Sequence, residues 1–199
     1  MELLDLENSF EELGSLDIAK YLVLPINADL EKFKSKIEKL KFPLWIKLNS
    51  WEHKAKLEAI KKVSSFEELV KVHKELQKQF PGKKFILQED VSGTEIILGI
   101  KQDKTFGKVL LLGAGGSLAE LIKDTEFRVL PIDKEEILSA LKQLKTYKIL
   151  EEKQTNISKL ISLILAFSKL EIQEADLNPI IVNEKTAVVV DARISVGDN

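Results

Sequence analysis

The chain has no cysteine in its 199 residues. That excludes a disulfide framework, a thiol nucleophile and a cysteine-ligated zinc. Histidine is nearly as scarce: only His53 and His73 occur, too few for a multi-histidine metal centre. Charge of one sign is not in excess either. Thirty Lys and Arg stand against 32 Asp and Glu, for a formal net charge of -2. A surplus of positive charge is what draws a protein to phosphate backbones, so no nucleic-acid partner is expected. The acidic opening MELLDLENSFEEL lacks the basic stretch and small-residue cleavage site of a leader, which points to a cytoplasmic protein. Long apolar runs are missing as well. The longest, Ile157 to Leu170, is broken by Ser158, Lys159, Ser162, Ser168 and Lys169, short of the ~20 residues of a membrane span. No membrane association is expected. Chemistry is left to carboxylates, amides, lysines, the backbone and a single imidazole.

What is present suits a packed fold. The composition is 44% hydrophobic and 31% charged, and a chain of this size hides roughly 70% of the surface its unfolded form exposes. Asp29 to Lys41 has an apolar face of Leu30, Phe33, Ile37 and Leu40, which predicts a helix leading into a strand at 44–48. Ser65 followed by Glu68 marks the start of a second helix, which ends near Phe80 at Pro81-Gly82. Strands are predicted at 84–90, 94–101, 109–112 and 128–130, and helices at 117–123, 134–144 and 157–170. A hairpin is expected from 180–182 to 187–190. Within the second helix, His73 stands among Lys71, Lys74 and Glu75 and reads as solvated. The pattern is α+β, mixed helix and strand in two lobes, with a seam at Pro81-Gly82 dividing 1–82 from 83–199; residues 1–28 receive no assignment.

Three groups of residues bear on chemistry. Six of the nine glycines fall between Gly93 and Gly116. The run Gly113-Ala114-Gly115-Gly116 after an apolar strand can offer backbone N–H groups to a phosphate, or can be a tight turn. It matches neither GxxxxGK[ST] nor GxGxxG. Asp176 and Asn178, two apart, share a face of an extended segment, and Asp191 follows a neighbouring strand. Together they can supply oxygen ligands to a nucleotide-bound Mg²⁺, though Asp and Asn near Pro are also ordinary turn residues. His53-Lys54 sets an imidazole able to carry a phosphoryl group beside an amine.

Read together, Glu95-Ile-Ile-Leu-Gly99, Asp103, Phe106-Gly107-Lys-Val, Gly113-Ala-Gly-Gly116, Glu120, Lys123-Asp124, Phe127-Arg128, Pro131, Glu174-Ala-Asp176-Leu-Asn178-Pro179 and Val190-Asp191-Ala-Arg193-Ile resemble one family. It is the ATP-grasp, β-type subunit of NDP-forming acyl-CoA synthetases, ADP-forming acetate–CoA ligases similar to succinyl-CoA synthetase. The resemblance spans residues 42–194 and is most specific over 88–131 and 174–194. It implies a two-lobed ATP-grasp fold and a ligase that couples acyl-CoA cleavage to ATP formation through phosphohistidine. Activity would need a CoA-binding, α-type partner subunit in a hetero-oligomer, and that partner would bring the acyl-CoA. The cofactors implied are Mg²⁺ and ATP/ADP. Carried over residue by residue, Lys47 is the nucleotide-binding lysine and Gln88-Glu89 the hinge meeting the adenine. Glu95, Gly113, Gly115 and Gly116 line the nucleotide, and Asn178 and Asp191 hold Mg²⁺. His53 relays the phosphoryl group, and Asp176 is the carboxylate paired with it.

The sequence departs from that family in two loops. After His53-Lys54 the family has an acidic residue and a Gly-Gly pair, where this chain reads Ala55-Lys56-Leu57-Glu58-Ala59-Ile60. Its Gly-x-Arg-Gly is replaced by Leu150-Glu151-Glu152-Lys153. These changes leave open a second reading, a divergent non-catalytic or regulatory subunit that retains the fold and partner binding.

Overall fold

In a computed structural model the structure describes residues 2–50, 58–116 and 123–197. In chain order the described elements are β1 (Glu2–Leu3), α1 (Leu6–Glu12), β2 (Tyr21–Leu24), α2 (Leu30–Ile37), β3 (Leu44–Leu48), β4 (Ile60–Val63), α3 (Phe66–Gln79), β5 (Phe85–Glu89), β6 (Thr94–Asp103), β7 (Gly107–Ala114), β8 (Thr125–Val129), α4 (Lys134–Gln143), α5 (Thr146–Glu152), α6 (Ile157–Ser168), β9 (Glu174–Val182), β10 (Ala187–Val189) and β11 (Arg193–Val196). They form two units. One draws on Asp5–Glu7 and Ala19–Val91, the other on Met1–Leu4, Asn8–Ile18 and Ser92–Asn199. The long crossover therefore lies between Val91 and Ser92. Pro81-Gly82, the expected seam, is instead a turn inside the first unit, because β5 after it is a central strand of that unit's sheet.

The smaller unit is a four-stranded antiparallel sheet in the order β2-β5-β3-β4. Alternation sends Leu44, Ile46 and Leu48 of β3 and Phe85 and Leu87 of β5 into one core with Leu30, Ile37, Leu69 and Leu76 of the two helices. The Asp29 side chain caps α2. The regular helix ends at Ile37, earlier than the predicted Lys41, because Lys39 and Leu40 switch to tighter bonds, on Lys36 O and Ile37 O. Ser65 caps α3 through the Glu68 amide at 3.2 Å, while the Glu68 carboxylate accepts from Ser64 rather than Ser65. The buried positions of α3 are Leu69, His73 and Leu76, spaced by four and three. His73 is thus a core residue, 2% exposed, and not solvated as its charged neighbours suggest.

The larger unit carries a seven-stranded sheet ordered β1-β11-β9-β6-β7-β8, with β10 also paired to β9. β7 and β8 extend further than their predicted ranges, and β9 starts at Glu174, well before the predicted 180. Helix α4 packs against β7, β8 and α6, and α6 packs on β10. One face of the sheet, including Ile96, Leu98, Ile100, Leu110, Leu112 and Leu177, is buried. The opposite face, with Ile97, Gly99, Leu111 and Phe127, is open. The predicted helix over 117–123 lies almost wholly outside the described residues, as do His53 and Lys54.

Candidate active site

The glycine run sits where strand β7 stops. The Ala114 amide donates to Asp124 O and the Gly115 amide to Glu95 O, both at 2.9 Å. A Cβ on Gly115 would come within 2.6 to 2.8 Å of the Ile96 backbone, closer than real contacts allow, so only glycine fits there. Gly116 has φ +72°, and a Cβ on it would overlap the Glu95 carboxylate. The Gly116 amide donates to Asn178 Oδ1 at 3.0 Å. Gly113, Gly115, Gly116, Glu95 and Asn178 therefore form one constellation. Glu95 is exposed on the open face of β6, and its carboxylate lies over the turn.

Asn178 and Asp176 are both on β9, but the register against β6 shifts between Ile96, which faces Ile180, and Leu98, which faces Leu177. Two residues, Asn178 and Pro179, thus oppose Ile97 alone: a β-bulge. The uniform alternation expected to carry Asp176 and Asn178 on one face ends at Asn178, which instead meets the Gly116 amide. Asp191 lies between β10 and β11. Val190 donates to Pro179 O at 3.2 Å, placing Asp191 one residue from a bond to Asn178's neighbour, and Asp191 Oδ1 accepts from the Ala192 amide. Among the described residues no cluster of three or more His, Asp or Glu could hold a metal. The oxygen donors offered are those of Asn178 and Asp191, a hard set that suits Mg²⁺ when a nucleotide's phosphates supply further ligands.

Asp176 is exposed and faces Gly99 on one side and Arg193 on the other. It borders a cleft of about 620 Å³ on the open face, with Gly99, Leu111, Phe127 and Arg193.

In the smaller unit Lys47 is 4% exposed and its Nζ donates to Gln88 Oε1 at 2.6 Å. Gln88, 1% exposed, donates in turn to Ala19 O at 3.3 Å. Lys47 pairs with Ile86, so Gln88 is its diagonal neighbour on the same face of the sheet. Glu89 accepts from the Lys41 amide at 3.0 Å, and its own amide donates to Lys20 O. Glu58 has φ +52° and buried Ala59 accepts from the Leu48 amide, so the end of the altered loop re-enters the sheet beside Lys47. His53 is not among the described residues.

A family model described as an ATP-grasp domain matches residues 25–196. The chain belongs to the ATP-grasp family. This ATP-grasp chain is 40% identical over 111 residues to the acetate–CoA ligase (ADP-forming) I subunit beta of Pyrococcus furiosus, a match covering 51% of this chain and 48% of that one. It is 33% identical over 180 residues to the II subunit beta of the same organism, covering 79% and 76%. The ATP-grasp chain thus spans about half of the first relative and three quarters of the second. Among solved structures it is similar to the dinucleotide-forming acetyl-coenzyme A synthetase 1 of Ca. Korarchaeum cryptofilum, solved with coenzyme A and Mg-AMPPCP and with a phosphohistidine segment pointing towards the nucleotide binding site. That match has a TM-score of 0.81 and 26% identity, over 96% of this chain and 92% of that one.

Asp124, named in the sequence only within the family motif Lys123-Asp124, is a structural anchor of the ATP-grasp glycine turn. Its carbonyl holds Ala114, and its buried carboxylate accepts from the Lys145 amide at 2.8 Å and from the Thr146 amide and hydroxyl. Burial opposes ionisation of Asp124, but these hydrogen bonds outweigh it and hold the carboxyl below the ordinary carboxylate range. The signal in sequence was an acidic residue eight positions after the last glycine. Its partners are 21 and 22 residues further on, beyond any local pattern. Among the described residues no helix is long and apolar enough to cross a membrane.

Proposed function

We propose that this chain is the nucleotide-binding subunit of an ADP-forming acyl-CoA synthetase, moving a phosphoryl group between a phosphohistidine and ADP. The observation that carries this reading is the Gly116 amide on Asn178 Oδ1, which ties a glycine turn to an oxygen donor suited to Mg²⁺. The amides of Ala114, Gly115 and Gly116 are each bonded within the protein, so the turn's part is to fix the Asn178 carboxamide in place. Asn178 and Asp191 would hold the cation, which supplies charge neutralisation on the transferring group. Lys47, aligned by Gln88, adds a buried positive charge for the nucleotide, with Gln88 and Glu89 at the adenine. In the direction of ATP use, a nitrogen lone pair of His53 attacks the γ-phosphorus as its bond to the ADP oxygen breaks. ADP leaves with that oxygen, and the proton on the other ring nitrogen stays in place; Asp176 is the carboxylate the family pairs with this histidine.

A CoA-binding, α-type partner would complete the cytoplasmic enzyme and bring the acyl-CoA. Incubating the chain, with and without such a partner, with γ-labelled ATP and Mg²⁺ tests the reading. Acid-labile, base-stable label lost in His53→Ala supports the relay. Nucleotide binding without label would support the alternative, a non-catalytic or regulatory subunit, for which the glycine-free sequence 55–60 speaks.

A further inference from the structure

The end of β3 is held by a side chain as well as by the sheet. Pairing with β4 stops at Lys47 opposite Ile60, and one more bond follows, from the Leu48 amide to Ala59 O at 2.9 Å. Pairing with β5 stops at Leu48 opposite Phe85, and the Asn49 amide adds a last bond to Lys84 O at 3.0 Å. From there the Asn49 carboxamide takes over. Its Oδ1 accepts from the Glu7 amide at 2.8 Å, and its Nδ2 donates to Asp5 Oδ2 at 3.1 Å and to Glu7 Oε2 at 3.3 Å. Lys84 Nζ donates to the same Glu7 oxygen at 2.7 Å. Asn49 is 7% exposed, so protein rather than water satisfies its polar atoms.

Two observations separate this anchor from ordinary packing. Leu44, Ile46 and Leu48 alternate into the hydrophobic core, which leaves Asn49 on the face of Trp45 and Lys47, where Lys47 Nζ meets Gln88. The partners of Asn49 also come from an unusual place. Asp5–Glu7 belong to the smaller unit, although the stretches on either side, Met1–Leu4 and Asn8–Ile18, belong to the larger. Three residues are thus diverted to the end of one strand. In sequence, His53 comes four residues after Asn49, and Ala59, bonded to Leu48, fixes the chain again beyond it. A stretch fixed at both ends explores less space than one fixed at a single end, so a reacting group on it meets its target more often.

We propose that Asn49 is a positioning residue for phosphoryl transfer: it fixes the end of β3 from which the chain runs on to His53. This deepens the proposed function and rests on it for the phosphohistidine. Lys47 keeps its bond to Gln88 and its pairing with Ile86 when the Asn49 carboxamide is removed, so nucleotide binding and transfer should part. Asn49→Ala, given γ-labelled ATP and Mg²⁺ under the conditions used for wild type, reads both. The half-saturating Mg·ATP concentration should stay within about twofold of wild type while the rate of acid-labile labelling falls about tenfold. A wild-type labelling rate overturns the proposal, and so does a tenfold rise in half-saturation with the maximal rate kept, which would place Asn49 in the nucleotide site. Asn49→Asp carries the test if Asn49→Ala does not fold. Ionised, it sets a third carboxylate against Asp5 and Glu7, with Lys84 as the facing cation; protonated, it regains one O–H donor and one acceptor, the pattern of the native carboxamide. Its labelling rate relative to wild type should therefore rise about tenfold as pH falls from about 8 to about 5.5, and a flat ratio overturns the proposal. Absence of label on wild-type protein rejects the phosphoryl-transfer reading and the role of Asn49 with it, whereas label that persists in both variants rejects Asn49 alone.

Discussion

Thr146 donates both its amide, at 2.7 Å, and its hydroxyl, at 2.6 Å, to a single carboxylate oxygen of Asp124. That oxygen starts helix α5 and, through the Asp124 carbonyl on Ala114, closes the glycine turn from behind. Asp124→Asn keeps the shape but replaces one acceptor oxygen with a donor facing N–H groups. Each charge-assisted bond lost costs about 1.5–3 kcal/mol, so the unfolding free energy measured in urea should fall by that order. Because the folded carboxyl is held low, its contribution is complete above the unfolded value of roughly 4 and is lost as pH falls through the folded value. Wild type should therefore lose stability below about pH 4 more steeply than Asp124→Asn.

His73 gives a pH dependence of the other kind. Among the described residues its Nε2 has no hydrogen-bond partner, and its ring meets Phe85 edge-on at 5.6 Å. Burial lowers its pKa. The unfolded chain then binds a proton that the folded one does not, so stability declines as pH drops through about 6.5 and continues to decline down to the folded value. His73→Phe should flatten urea stability between about pH 7.5 and 5.5 relative to wild type. An equal slope in both proteins would remove His73 as the cause.

The glycines of the turn should differ in cost. An alanine Cβ at Gly115 meets the Ile96 backbone, which cannot swing away, whereas at Gly116 it meets the end of the flexible Glu95 side chain. Gly115→Ala should thus destabilise by more than about 2 kcal/mol, and Gly116→Ala by about 1, chiefly from its left-handed φ. Thermal melts of the two variants decide the order.

Lys47→Met separates binding from folding. Removing the charge while keeping volume leaves buried Gln88 Oε1 short of one donor, a stability cost of about 1–3 kcal/mol that does not unfold the chain. Mg·ATP affinity, measured calorimetrically, should fall at least about tenfold. Affinity equal to wild type would remove Lys47 from the nucleotide site.

Asn178→Ala and Asp191→Ala should each weaken Mg·ADP binding by about tenfold or more and leave binding of metal-free ADP nearly unchanged. Loss of both in equal measure would point to a structural role.

Much of this was legible because it is local. Caps such as Ser65, alternation in 44–48 and the glycine run are written within a few residues of where they act. His73 was misplaced because its charged neighbours were weighed ahead of its phase: four residues after Leu69 and three before Leu76, it must face the core. The bulge at Asn178 and the reach of Asp124 to Thr146 were hidden, since each depends on a strand or helix distant in sequence. The two-unit division was misjudged for a similar reason: Pro81-Gly82 is a strong breaker, but a turn inside a unit and a turn between units look alike in one dimension.

The larger unit borrows from the far end of the chain. Strand β1 pairs with β11, and Asp17 O accepts from the Val189 amide, so two short early stretches are stitched into a sheet made mostly after Ser92. During synthesis these stretches precede the strands they pair with, and the whole smaller unit is made in between. A fragment cut at Ser92 would accordingly be a sheet with an open edge, and a vector supplying residues 1–18 as a separate peptide could close it again.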